Sequence, residues 1–184
     1  MGVFMSRCLI IARFQPLHNG HLYTIEHCLS VHDEVVVVIG MASQSHTPEN
    51  PFTAGERIEM VRRTLKWRGY DLSRLITVTL PTLEVNRTAV HYVKLYSPVF
   101  DVVITLNPII RRLFIEEGYK VEEPPAFNRE VLRGSVIRRL MASGSSEWKK
   151  YVPLPVAEFI EEIGGVERVR ALYTERLPGY FVTV

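Results

Sequence analysis

The stretch ARFQPLHNGHL, residues 12–22, decides how this chain is read. A short apolar run, CLIIAR (8–13), closes at Arg13. A Pro-containing turn follows, and then His18, Asn19, Gly20 and His21 lead into HLYTIEHCL (21–29). The first run has the length of a strand, whereas the second places Leu22, Ile25, Cys28 and Leu29 at helical spacing. Strand, short turn and helix make a first βα junction. Parallel α/β sheets hold their ligands at such junctions, outside the carboxyl ends of the strands.

The same alternation continues outward. EVVVVIG (34–40) is β-branched throughout, as a strand covered on both faces should be. TAGERIEMVRRTL (53–65) opens with Thr53 three residues before Glu56, the spacing of a capping box, and carries Ile58, Val61 and Leu65 on one face. LITVTLP (75–81) predicts a third strand, TAVHYVKLY (88–96) a helix and FDVVITL (100–106) a fourth strand. Asn107 and Pro108 suit the N-cap and first residue of a helix over PIIRRLFIEEG, ending at Gly118. KVEEP (120–124) is a weak short strand, and after PPAFNRE only helical patterns remain: SVIRRLMAS, VAEFIEEIG and VERVRALYTER. The tail YFVTV (180–184) suits an added strand, a contact surface or disorder equally. Right-handed crossovers then predict one α/β domain over residues 1–184. It has a parallel sheet of about five strands, helices on both faces, and a helical C-terminal section at about 134–176.

Composition sets limits. The 184 residues are 47% hydrophobic and 23% charged, an ordinary balance for a globular domain with its own core. A net charge of +2 is too small for bulk attraction to nucleic acid, although Arg62–Arg63, Arg111–Arg112 and Arg138–Arg139 still set local fields. Cys8 and Cys28 make neither a disulfide framework nor a zinc spacing. No apolar run approaches the roughly 18 residues of a membrane span, and the start lacks the features of a signal peptide. The expectation is a cytoplasmic protein acting on small molecules, without nucleic-acid or membrane partners.

The two histidines flank the expected helix start. The first N–H groups of a helix lack partners and carry partial positive charge, so that end attracts phosphate and disfavours an imidazolium. His18 and His21 should therefore be neutral in the free protein yet able to donate hydrogen bonds. Gly20 lets the backbone approach a ligand, and Arg13 adds a fixed charge at the same edge. A His-x-x-His pair is also common as a plain structural or surface feature. A zinc site would need further ligands, and no spacing supports His46 or His91 in that role. The turn offers no nucleophile beside a base, but phosphoryl-type transfer needs mainly positioning and electrostatics.

ARFQPLHNGHL resembles the His-x-Gly-His signature of the nucleotidylyltransferase superfamily and, more narrowly, the archaeal type of nicotinamide mononucleotide (NMN) adenylyltransferase. The resemblance continues through SHTPENPFTAGER (45–57), FDVVITLNPIIRRLF (100–114), FNRE (127–130), GSVIRRLM (134–141), WKKYVP (148–153) and GGVERV (164–169). It implies a Rossmann-like nucleotidylyltransferase domain that joins NMN to ATP, giving NAD and pyrophosphate. Mg²⁺ would be bound mainly through the ATP phosphates, with no metal site of the protein's own. By the same resemblance His18, His21 and Arg138 would be catalytic. Arg13, Phe14, Gln15, His18, Gly20, His21, Asn107, Ser135 and Arg138 would bind ATP, with Ser135 capping its helix and Arg138 gripping the β- and γ-phosphates. Met41, Ser43, Thr82, Asn86 and Ala89 would face the acceptor, and a homo-oligomer is expected.

The departures cluster at the acceptor side. Met41-Ala42-Ser43 stands where the family has Ser-Ala-Gln, Thr82 where it has Asp, and Ala89 where it has a Trp that stacks on nicotinamide. Arg133-Gly134-Ser135 replaces Ser-Gly-Thr. Losing the platform removes about 0.5–1.5 kcal/mol of stacking. Another phosphomonoester acceptor, such as a flavin or pantetheine phosphate, is one alternative, and a non-catalytic ATP- or NAD-binding module is another. Arg138 also suits a solvated helix charge, Asn107 a plain cap, and Phe52, Thr53, Glu56 and Arg57 a purely loop-fixing role.

Overall fold

The computed structural model describes residues 5–81, 87–125 and 133–174. Five parallel strands form one sheet: β1 (Arg7–Ala12), β2 (Glu34–Ile39), β3 (Leu75–Thr79), β4 (Val102–Ile104) and β5 (Lys120–Glu122), in the order β3-β2-β1-β4-β5. β1 is central, pairing Cys8 with Val35 on one side and with Val102 on the other. The chain winds outward from β1 through β2 to β3, then returns to build β4 and β5 on the opposite side. The strand order therefore reverses between β1 and β4, where an open α/β sheet offers a crevice.

Alternate strand residues explain the unbroken apolar runs. Cys8, Ile10, Val35, Val37 and Ile39 point to one face and pack under α1 (Asn19–Val31) and α2 (Ala54–Trp67) through Ile25, Cys28, Met60 and Val61. Leu9, Val36, Val38 and Val103 point to the other face, under α3 (Arg87–Tyr96) and α4 (Pro108–Glu116), where Val90, Val93 and Phe114 meet them. Both faces are thus dry, as a parallel sheet requires.

The helix starts follow local chemistry. α2 has the full Thr53–Glu56 capping box, and Asn107 Oδ1 caps α4 by accepting from Ile109 N at 3.0 Å, with Pro108 next. The C-terminal section consists of α5 (Gly134–Ala142), a 3₁₀ turn (Ser146–Tyr151), α6 (Leu154–Glu162) and α7 (Gly165–Thr174). It joins the α1/α2 side through Ile137, Met141, Trp148, Val156 and Ile160. The 3₁₀ turn carries no sequence signal of its own, because its six residues are too few to show a helical period. Among the described residues, no helix is long and apolar enough to cross a membrane. Thr82, Asn86, FNRE (127–130) and the tail YFVTV lie outside the described residues.

Candidate active site

The turn after β1 answers why the two histidines stand three residues apart. His18 is the N-cap of α1 and His21 its third residue. His18 Nδ1 accepts from His21 N, and His21 Nδ1 accepts from His18 N, each at 3.3 Å. This is a capping box built from two imidazoles in place of Ser and Glu. Their rings stack with centroids 3.6 Å apart, and Phe14 lies against His21 at 4.6 Å.

The geometry also sets protonation. A nitrogen that accepts from a backbone N–H carries no proton, so each ring must hold its proton on Nε2 and is a donor there. Burial lowers His18 to about 4. Burial, followed by the nearness of His18, pushes His21 well below the ordinary histidine value. Both rings are therefore neutral N–H donors at neutral pH; the cause is burial first, where the sequence reading invoked the charge of the helix start. Asn19 and Gly20 precede the first i to i−4 bond, Leu22 N to His18 O at 3.1 Å, so their amides stand at the open helix end.

The side chains of Phe14 and Gln15 are buried supports of the turn. The backbone of Phe14 sits at φ 52°, a left-handed conformation that few non-glycine residues adopt, and its ring is 1% exposed beneath His21. The Gln15 amide spans the backbone of Phe52: Nε2 donates to Phe52 O at 2.8 Å and Phe52 N donates to Oε1 at 3.0 Å. The β1–α1 turn is thereby fastened to the β2–α2 loop. Arg13 alone of this trio has an exposed side chain.

Arg57 completes the floor. It is fully buried and donates to four carbonyls: Thr53 O (3.1 Å), Arg13 O (2.9 Å), Gly40 O (2.7 Å) and Met41 O (3.1 Å). It thus sews together the carboxyl ends of β1 and β2 and holds Met41, at φ 54°, in its left-handed conformation. Burial, with Arg13 adding to it, lowers Arg57 to about 10, so it stays charged at neutral pH. The loop-fixing reading of Thr53, Glu56 and Arg57 agrees with this arrangement.

Arg138 differs from the expected free phosphate fork. Its side chain is 5% exposed, Nε donates to Pro48 O at 2.9 Å, and Nη1 donates to Gln15 O at 2.7 Å. Burial lowers its pKa, partly offset by Tyr173. Two of its donor atoms hold loop carbonyls together, and Arg139 is the exposed member of the pair. Ser135 is not a cap either: α5 starts at Gly134, behind Arg133, with no side-chain cap bond. The uncapped amides of α5 thus stand beside the β1–α1 turn. A Cβ on Gly134 would lie 2.8 Å from Gln15 O, so glycine permits that approach.

Of the predicted acceptor residues, Met41, Ser43 and Ala89 are among the described residues. Met41 lies at the end of β2, and Ser43 is exposed in the loop after it. Ala89 is 3% exposed in the first turn of α3, on the opposite face of the sheet from α1, and offers no surface for stacking. Asn107 stands exposed at the end of β4, across the switch point from Arg13, with its Oδ1 committed to the cap. Among the described residues, no three His, Cys, Asp or Glu side chains group to hold a metal.

Fold and site together define the class: an open, doubly wound α/β domain whose first βα turn presents neutral N–H donors at the topological switch point. The chain belongs to the cytidylyltransferase-like family, whose family model matches residues 9–139. A Saccharolobus solfataricus protein named nicotinamide-nucleotide adenylyltransferase is 48% identical over 168 residues, covering 91% of this chain and 97% of its own length. A Pyrococcus horikoshii protein of the same name is 45% identical over 170 residues, 92% of this chain and 90% of its own. Among solved structures, a bifunctional NMN adenylyltransferase/ADP ribose pyrophosphatase from Francisella tularensis superposes with a TM-score of 0.67 at 16% identity. That match covers 95% of this chain and 58% of the Francisella chain, and at such identity it shows the fold. A second Francisella structure, complexed with AMP and a manganese ion, gives a TM-score of 0.63 at 19% identity, over 96% of this chain and 57% of its own.

Proposed function

We propose that this chain transfers the adenylyl group of ATP to nicotinamide mononucleotide, forming NAD and releasing pyrophosphate. The observation that carries the reading is the reciprocal His18–His21 box, which leaves a neutral Nε2–H donor on each ring at the open start of α1, in the same turn that carries exposed Arg13. An oxygen of the acceptor phosphate forms a bond to the α-phosphorus, and the bond from that phosphorus to the bridging oxygen breaks. Its electron pair leaves with pyrophosphate, and no proton need move. Catalysis then rests on placing fixed donors where charge builds up. His18, His21 and Arg13 meet the reacting phosphates, and the α5 amides at Gly134 and Ser135 face the leaving group. Arg138 serves by joining α5 to the β1–α1 turn. A divalent cation, Mg²⁺ in this reading, would be held mainly through the triphosphate oxygens and would supply charge neutralisation. Self-association into a homo-oligomer belongs to the same reading, and sedimentation tests it.

The identity of the relatives favours NMN as acceptor. The test is a pyrophosphate-release assay with ATP and, in parallel, NMN, flavin mononucleotide or pantetheine phosphate. NMN should give the highest kcat/KM. Release with another acceptor alone would move the specificity, and release with none would leave a binding module. His21→Ala should lower kcat by roughly 10²–10³-fold, the scale of one lost preorganised donor.

A further inference from the structure

Arg168, on α7, contacts none of the groups placed at the reacting phosphates. Its guanidinium takes the Glu56 carboxylate with both terminal nitrogens, Nη1 to Oε2 and Nη2 to Oε1, each at 2.8 Å. Nη1 also donates to Pro51 O at 3.2 Å. Glu56 Oε2 accepts from Thr53 N at 2.8 Å. One turn earlier on α7, a Cβ on Gly165 would lie 3.0 Å from Phe52 Cε1, so the helix backbone presses on that ring. A single turn of α7 thus holds Pro51, Phe52 and, through Glu56, Thr53. Phe52 in turn fixes both ends of the Gln15 amide, inside the turn between Arg13 and His18.

We propose that Arg168 is a positioning residue: acting through Glu56, Pro51 and Phe52, it holds Gln15, and with it the β1–α1 turn, in register with the β2–α2 loop. The proposal rests on the adenylyl-transfer reading. Arg168 differs from the ordinary ion pairs of this surface. Arg63–Glu162 also joins α2 to the C-terminal section, but its side chains are 36% and 58% exposed and neither touches the two loops, whereas Arg168 and Glu56 are 20% and 17% exposed. Burial works to raise the Glu56 carboxyl, and the Arg168 and Thr53 hydrogen bonds outweigh it, leaving the group below its usual range. The pair is therefore intact at neutral pH. A bidentate fork with a third bond to a loop carbonyl fixes direction as well as distance.

The test compares Arg168→Met, Arg168→Lys and Arg63→Met in steady-state kinetics well below their melting temperatures. Displacing aligned groups costs rate more than ground-state binding. Arg168→Met should therefore lose about tenfold in kcat, with KM for ATP and NMN each changing by less than about threefold. Arg168→Lys should recover part of the loss, since an ammonium keeps the charge but not the fork. Arg63→Met should stay within about twofold of the wild type, the result expected of an exposed pair. Equal kcat values for Arg168→Met and Arg63→Met overturn the proposal. If Arg168→Met does not fold, an Arg168→Lys variant with wild-type kcat overturns it. A wild type that releases no pyrophosphate with any acceptor sinks the function reading instead. The imidazole ¹⁵N resonances of His18 and His21 then decide: they should move in the Arg168 variant and stay in Arg63→Met, and no difference overturns the proposal.

Discussion

Replacing His18 by Asn tests the His–His capping box directly. Asn is among the best N-caps, so it can take over acceptance from His21 N, but it does not titrate. At pH 7.5 the two proteins should agree to within about 1 kcal/mol, the range of such exchanges. They should part as pH falls. His18 is lowered to about 4 in the folded chain by burial, against 6.5 unfolded. Between those values the unfolded chain binds the proton and the folded chain does not, so stability is full above the unfolded pKa and drains away toward the folded one. Linkage over that window makes the His18 contribution about 2 kcal/mol lost between pH 7.5 and pH 5. With a urea slope of roughly 2 kcal/mol/M, this is a midpoint drop of about 1 M in the wild type that His18→Asn should escape. His21 is also lowered, by burial and by His18, so the variant retains a pH slope of its own in the same direction. Carboxylates held low, such as Glu56, lose their contribution only as pH falls through their folded values, and they cancel in the comparison. Urea unfolding followed by circular dichroism at pH 7.5, 6.5, 5.5 and 5 supplies the numbers. Parallel curves for the two proteins would mean that His18 is not held neutral by the fold, and the account of the site as a pair of neutral donors would fail.

Gly134→Ala should cost about 1–3 kcal/mol in thermal unfolding and slow pyrophosphate release, because its Cβ would lie 2.8 Å from Gln15 O and push α5 off the β1–α1 turn. Wild-type melting and kinetics for this variant would show that α5 does not need that approach. Arg57→Met should lose about 3–5 kcal/mol in denaturant unfolding, since the carbonyls of Arg13, Gly40 and Met41 are left in a dry floor without that donor. A loss below about 1 kcal/mol would place water or another donor there. Ala89→Trp should destabilise by about 1–3 kcal/mol without tightening NMN, because the position is 3% exposed and the ring has nowhere to go. Tighter NMN binding by calorimetry would mean that α3 opens toward the acceptor.

Residues 7–67 show how much of this protein is written locally. The β-branched run EVVVVI and the capped, 3.6-periodic helices are short-range statements, each complete within a few residues, so strand and helix order followed from the sequence. The parallel sheet then followed from chirality, and the ligand-facing turn from topology. A helix N-terminus disfavours charge on its own residues, so neutral histidines are legible in the sequence, but the burial that chiefly holds them neutral is set by the folded domain. The ring-to-ring capping box was not legible, because imidazole is rare as a cap and the pattern rules look for Ser, Thr, Asp or Asn followed by Glu. The arginines depend on the folded chain most of all. Arg138, Arg57 and Arg168 look alike in a string of letters, and a guanidinium serves a phosphate, a carboxylate or a carbonyl with the same five donors. Arg138 meets Gln15 O across 123 residues and Arg168 meets Glu56 across 112, so their roles depend on which acceptors the fold brings within 3 Å. Ala89 belongs with them: whether a small residue leaves an open platform or fills a helix contact depends on the face that α3 turns to the sheet, and packing of the whole domain sets that face.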